Sequence, residues 1–243
     1  MKVIQPNCRI QFTADDLDFI AAALGQKARA AQSLRLLLAD PETRDLILDD
    51  QTLYHALLEH RGCLRVSNHF YFYVLVRNVL RKTGIEDRSV ADYVAEMMAE
   101  YSRSENTRCQ APGQEGTLDY FFDMLAALQT ADDRTRFMIR AHMGNHSLFM
   151  TGVFPQRIRH RAERKGFPDV KYYEALGRTS YRVASDHRLA AKYDLGGIFL
   201  TLSDRFEETR LALNEMADRL LTLHEPARGL ESLLLAKLDG AGF

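Results

Sequence analysis

Two readings compete for the run Ser67-Asn68-His69-Phe70-Tyr71-Phe72-Tyr73-Val74-Leu75-Val76-Arg77-Asn78-Val79-Leu80-Arg81-Lys82. β-Branched and aromatic residues crowd Phe70 to Val76, and over that short span a strand is the alternative. The apolar positions run on to Leu80, however, too far for a typical strand, and the Ser67 hydroxyl is placed to cap a first helical turn. The stretch therefore reads as a helix over 68–82, apolar on most of its circumference. Such a helix belongs at the centre of a fold. His69, Tyr73 and Arg77 descend it as a polar stripe at four-residue spacing, and if buried each needs a partner.

Outward from this helix the pattern stays helical. Residues 1–12 alternate loosely and suit an extended arm. Thr13-Ala14-Asp15-Asp16 then offers a capping hydroxyl with a carboxylate three positions on, ahead of a face built from Leu17, Ile20, Ala21 and Leu24 and a stop at Gly25. A second helix is expected over 27–39, carrying Leu34, Leu37 and Leu38. Pro41 suits the first turn of the next, where a missing N–H is no loss. Short helices follow over 42–49 and 51–60, up to Gly62. A helix over 89–102 carries Val90, Tyr93, Val94, Met97 and Met98. Residues 103–116, polar and broken by proline and glycine, read as an irregular loop or linker. Helices are then expected over 117–129, 132–152, 155–165, 169–191, 197–224 and 227–238, with a turn at Asp194-Leu195-Gly196-Gly197. No internal repeat or sustained heptad is present. The expectation is a single all-α domain over 1–243, bundle-like, with about ten helices around the buried one at 68–82.

Composition narrows the function classes. The 243 residues include 32 Lys plus Arg against 33 Asp plus Glu, a net charge of −1 that gives no global field for nucleic acid or an anionic membrane. The longest strongly apolar run, Phe70 to Val76, falls far below the ~18 residues that span a bilayer. Cys8, Cys63 and Cys109 are far apart and make no Cys-x-x-Cys pair, which fits a reducing compartment. No secretory pattern opens the chain. A soluble cytoplasmic protein is expected.

Residues that might carry chemistry concentrate between Arg140 and His187, where four of the eight histidines fall. His142 and His146 are four apart and share one helical face, as two metal-binding imidazoles do. The zinc-protease pattern also needs a glutamate beside the first histidine, and Met143 stands there. His55 with Glu59, Glu96 with Glu100 and adjacent Asp186 and His187 add imidazoles and carboxylates. The Glu-x-x-His tetrapeptide of di-iron bundles is nonetheless absent. Solvated or hydrogen-bonded side chains are the plainer reading of all these pairs.

Small residues give a second pattern. Gly144, Ser147 and Thr151 share one side of their helix, and Gly177, Ser180 and Ala184 share one side of theirs. A mid-helix glycine costs up to about 1 kcal/mol against alanine, so close approach of a neighbouring helix or a flat ligand should compensate. By helical geometry His142 and His146 then lie nearly opposite the Gly144 stripe.

Further along, Tyr172, Tyr173, Glu174, Arg178, Tyr181 and Arg182 crowd the start of the helix from 169. Glu174, Arg178 and Arg182 form an exposed ladder at i, i+4, i+8. Turned inward beside Tyr181, Arg178 would instead grip a carboxylate or phosphate. Residues 157–165 are strongly basic and read as a solvated helix, with RNA, DNA or an acidic partner as the alternative. Nucleophile elbow, phosphate loop and dinucleotide fingerprint are all absent.

The expectation for function is a soluble binding or regulatory protein whose small ligand or protein partner meets the 140–190 region. Tyr173, Arg178, Tyr181 and His187 are the candidate ligand contacts, and no particular cofactor is implied. The first alternative is a metal-dependent enzyme with a histidine and carboxylate site, His142 and His146 as ligands and a metal-bound water as reactant. The second is nucleic-acid contact through 157–165. The small-residue stripes would also serve a homo-oligomer across a two-fold axis.

Overall fold

In the computed structural model, which describes residues 3–25, 37–60, 65–102, 121–165 and 167–223, the stretch Asn68–Lys82 is helical and no strand occurs among the described residues. A 3-10 turn, Cys8–Ile10, precedes α1 (Ala14–Ala23), α2 (Pro41–Leu48), α3 (Gln51–Glu59), α4 (Asn68–Lys82), α5 (Arg88–Tyr101) and α6 (Phe121–Thr130). Then follow α7 (Asp133–Val153), α8 (Pro155–Lys165), α9 (Val170–Ser185), α10 (Arg188–Lys192), α11 (Gly196–Asp204) and α12 (Phe206–Leu223). Most of the helix expected over 27–39, the loop at 103–116, the helix at 227–238, Cys63 and Cys109 lie outside the described residues. No described helix is long and apolar enough to cross a membrane.

Local chemistry sets the starts of these helices. Thr13 and Asp16 form the reciprocal capping box that their spacing predicts. Asp16, fully buried, also accepts hydrogen bonds from the backbone N–H and the hydroxyl of Ser67, and Ser67 in turn caps α4. One carboxylate thereby fixes the entry of two helices. Asp40, Asp50, Asp87, Asp132 and Asp169 cap α2, α3, α5, α7 and α9, each taking an orphan N–H and placing negative charge at the positive end of the helix dipole.

Two long elements of the sequence reading are broken in the structure. The expected helix over 169–191 ends at Ser185, because His187 leaves helical geometry (φ −80°, ψ 140°) and caps α10 through its ring nitrogen on the Leu189 N–H. That over 197–224 breaks at Arg205, which turns its guanidinium to Glu208 and to the Thr83 carbonyl of the α4 terminus. These breaks raise the number of α-helices to twelve among the described residues. Asp194, at φ +56°, makes the turn before α11.

The centre of the bundle is α4, buried from Phe70 to Leu80 except for the half-buried Tyr71 and packed against α5, α12 and α3. Of its polar stripe, Tyr73 and Arg77 are buried and His69 half-buried, and each meets a neighbour from outside the helix. His69 approaches Glu96 of α5 at 3.6 Å, and Arg77 forks onto Asp49 at 2.8 and 3.1 Å. Tyr73 lies under the Arg9 guanidinium at 5.6 Å. α7 packs most extensively on α9 and also meets α12, α6 and α8. One hydrophobic core joins the 3-10 turn, α1–α5, α7 and α9–α12. A smaller one joins α6 to Ile139 and Met143 of α7.

Candidate functional site

Most of the geometry that bears on function is carried by α7, whose sides meet different neighbours. The side with Gly144, Ser147 and Thr151 faces α9 and α12. A Cβ on Gly144 would stand 2.7 Å from the Tyr181 ring, and one on Gly177 would stand 2.6 Å from the Phe206 ring and 2.7 Å from Ser147 Cβ. The glycines are thus filled by aromatic rings and by Ser147 of the facing helix. Next to them Asn145, buried, accepts hydrogen bonds at 2.8 Å from both the Tyr93 and Tyr181 hydroxyls, tying α5, α7 and α9 together.

His142 and His146 face away from this packing, toward α5 and α6. The Tyr101 hydroxyl lies 3.0 Å from His142 Nδ1, and the Phe121 ring meets the His146 ring edge-on at 5.2 Å. The two imidazoles are 6.0 Å apart between centroids. His142 Nε2 and His146 Nδ1 are buried without a hydrogen-bond partner. Burial pushes His142 down to about 3, with His146 beside it adding to the effect, and burial pushes His146 down to about 4. Both are neutral at ordinary pH. Among the described residues no group of three or more His, Cys, Asp and Glu side chains converges to hold a metal ion.

On the amino-terminal half of α7 lies a cleft of about 320 Å³ between α6, α7 and the end of α9. Leu128, Phe137, Val183 and Ala184 give it apolar walls, and Asp133, Arg136, Arg140 and His187 give it charge and polarity. Phe137 stacks on the His187 ring at 5.1 Å, which holds that wall in place. Asp133 is engaged by His187 at 3.0 Å and Arg188 at 2.8 Å. Their hydrogen bonds keep the Asp133 carboxyl below the usual carboxylate range, Arg188 contributing most. Arg140, half-buried at the wall, makes no hydrogen bond or ion pair among the described residues, and burial alone lowers its pKa.

The structure does not gather the four sequence-derived ligand candidates. His187 lines the cleft. Tyr181 is completely buried and committed to Asn145, which removes it from any accessible surface. Tyr173 packs on Phe121 at 5.1 Å in the small core. The Arg178 side chain is exposed, while its carbonyl receives the Ser203 hydroxyl. Nor is the Glu174, Arg178, Arg182 ladder formed along one helix. Glu174 pairs with Arg210 of α12 at 3.2 Å and Arg182 with Asp204 of α11 at 3.2 Å, so tertiary partners displace the local ones. His55 and Glu59 pair at 3.8 Å on the surface. In the basic helix α8, Ile158 enters the interior and Arg161 lies over the Phe167 ring at 4.5 Å.

Arg136 and Arg140 were not among the expected contacts. The signal in the sequence was the neighbourhood of Arg140: no carboxylate stands three or four positions to either side, so the helix itself supplies no counter-charge. Sequence reasoning also missed a buried polar cluster at the N-terminal arm. There Arg9 meets Asp45 at 2.8 Å and Asp92 at 3.1 Å, and Gln11 donates to Glu96 at 3.0 Å. Burial and the Glu96 charge push the Cys8 thiol far up, so it is no nucleophile, and burial raises Glu96 against the pull of His69. These contacts join positions too distant in sequence to be paired by spacing.

No protein-family model, curated protein or solved structure matches the chain.

Proposed function

We propose that this chain is a binding protein, not a catalyst, and that its ligand is a small organic anion held in the cleft beside Arg140. The observation that carries the reading is the half-buried Arg140 guanidinium, which makes no hydrogen bond or ion pair among the described residues. Its desolvation is uncompensated in the free protein, and a carboxylate or phosphate oxygen pair matches its two-point fork. Arg136, one turn earlier on the same cleft wall, adds positive charge at the mouth. The apolar walls suit a ligand with a hydrocarbon or ring portion behind its anionic group.

Binding is favoured over catalysis by the state of His187. Its Nδ1 accepts from the Leu189 N–H, which places the ring proton on Nε2, and Nε2 then donates to Asp133. Both ring nitrogens are engaged, so the one imidazole in the cleft is not free to act as a general base.

The test is calorimetry and thermal shift with inorganic phosphate, short mono- and dicarboxylates and aromatic carboxylates. One class is expected to raise Tm and bind saturably. Arg140→Gln is expected to weaken that binding about 10- to 100-fold, the scale of ~1.5–3 kcal/mol for a charged hydrogen bond. Arg140→Lys, which keeps the charge but loses the fork, should fall between the two. The proposal fails if no panel member binds the wild type, or if the glutamine variant binds as well.

A further inference from the structure

Outside the cleft, on another side of α7, the two orphan imidazole nitrogens call for an account of their own. A buried polar nitrogen left without a partner is costly, and here two such atoms sit one helical turn apart on the same face. His142 is only 8% exposed, and its other nitrogen is held by Tyr101 at 3.0 Å. Metal-binding histidines are oriented in this way, one nitrogen fixed by an outer partner and the other left bare. In the tautomer whose Nδ1–H donates to the Tyr101 oxygen, the Nε2 lone pair is free. The His146 ring is braced by Phe121 at 5.2 Å and lies 6.0 Å from that of His142, with the ring planes 33° apart.

We propose that His142 and His146 form a two-nitrogen site for copper(I), enclosed between α5, α6 and α7. The donor set selects the cation. Zinc, nickel and copper(II) seek four or more ligands, and among the described residues no third His, Cys, Asp or Glu joins the pair. Water would have to fill the remaining positions against the rings of Tyr101 and Phe121. A monovalent, filled-shell cation is satisfied by two neutral nitrogens, and a single charge is far less costly to bury than a double one. Met138 stands four positions before His142 on the same face, buried, and a thioether favours the same soft ion.

The site shares no residue with the anion cleft, so either proposal can fail without the other. The test is anaerobic titration of the full-length reduced protein against the copper(I) complex of a chromophoric chelator. One equivalent should be withdrawn. His142→Phe and His146→Phe, checked for fold by circular dichroism, should each weaken it at least tenfold. Zinc at the same concentration should not displace the copper. In the wild type, nitrogen NMR should show copper moving His142 Nε2 and His146 Nδ1, a readout that does not depend on any variant folding. The proposal is overturned if no copper leaves the chelator or if those resonances stay put. It is equally overturned if a variant with both histidines replaced by phenylalanine binds as well, or if binding vanishes on replacing Cys8, Cys63 and Cys109 with serine, which would assign the copper to thiolates.

Discussion

Gly177 of α9 faces the edge of the Phe206 ring so closely that a single added methyl group would lie 2.6 Å from two ring carbons. The ring belongs to the first residue of α12, so the glycine sets how near α9, α7 and α12 can pack. Alanine is the better helix former by about 1 kcal/mol, yet overpacking a closed core costs roughly 1–3 kcal/mol. Gly177→Ala and Gly144→Ala are therefore expected to lower stability in denaturant titration. Gly197→Ala, where a Cβ meets nothing within 4 Å, should be neutral or stabilising. Equal behaviour of all three would refute the packing argument.

Asn145 offers a second test, because one oxygen serves two buried hydroxyls. Tyr93→Phe and Tyr181→Phe should each cost about 1 kcal/mol. Asn145→Ala should cost about 2–4 kcal/mol, since it leaves both hydroxyls without their acceptor. A double-mutant cycle between the two tyrosines should show coupling of at least ~0.5 kcal/mol, because they share that acceptor. Strict additivity would mean that the hydroxyls act independently.

The imidazole pair predicts a definite pH dependence. Both folded values, about 3 and about 4, lie below the ordinary histidine value of 6.5, so the unfolded chain binds more protons between them. Stability contributed by these groups is complete above about pH 7 and falls as pH drops through 6.5 toward 4. At pH 5 the loss should be about 1–2 kcal/mol per ring. Replacing both with phenylalanine should flatten this part of the urea-unfolding profile, and an unchanged profile would show that the rings titrate alike in the folded and unfolded chain.

Asp49 carries the opposite sign. Burial opposes its ionisation, but the hydrogen bonds and charges of Arg77 and Arg88 outweigh that and hold the carboxyl below its usual value. Its contribution is present above the unfolded carboxylate value near 4 and is lost as pH falls below it. Asp49→Asn should destabilise at pH 7 by about 2 kcal/mol, because the buried Arg77 loses its two-point partner and keeps only the exposed Glu86 carboxylate at 3.5 Å. The deficit relative to wild type should shrink in acid, and a deficit independent of pH would count against the ion pair.

At the cleft, the negative charge of Asp133 opposes any anion drawn to Arg140. Asp133→Asn should raise the affinity of the cleft's ligand modestly, by roughly two- to fivefold, because the carboxylate is exposed and already engaged by His187 and Arg188. The gain should shrink at high salt. Weaker binding in this variant would place the ligand elsewhere.

Helical class, the central position of Asn68–Lys82, the Thr13 and Ser67 caps and the crowding at Gly144 and Gly177 were all legible in the chain. Each depends on residues within about one or two turns of one another, where backbone geometry fixes which side chains share a face. The opposed faces of the histidine and glycine stripes on α7 follow from the same geometry. Tertiary structure decided what each face meets. It turned Tyr181 inward to Asn145, sent Glu174 to Arg210 and Arg182 to Asp204, and left Arg140 at a cleft wall with no hydrogen bond or ion pair among the described residues. Periodicity reports that a residue faces the interior or the solvent, because burial is a property of one helix face. Which charge or hydroxyl stands opposite is set by how separate helices pack, and no local spacing encodes that.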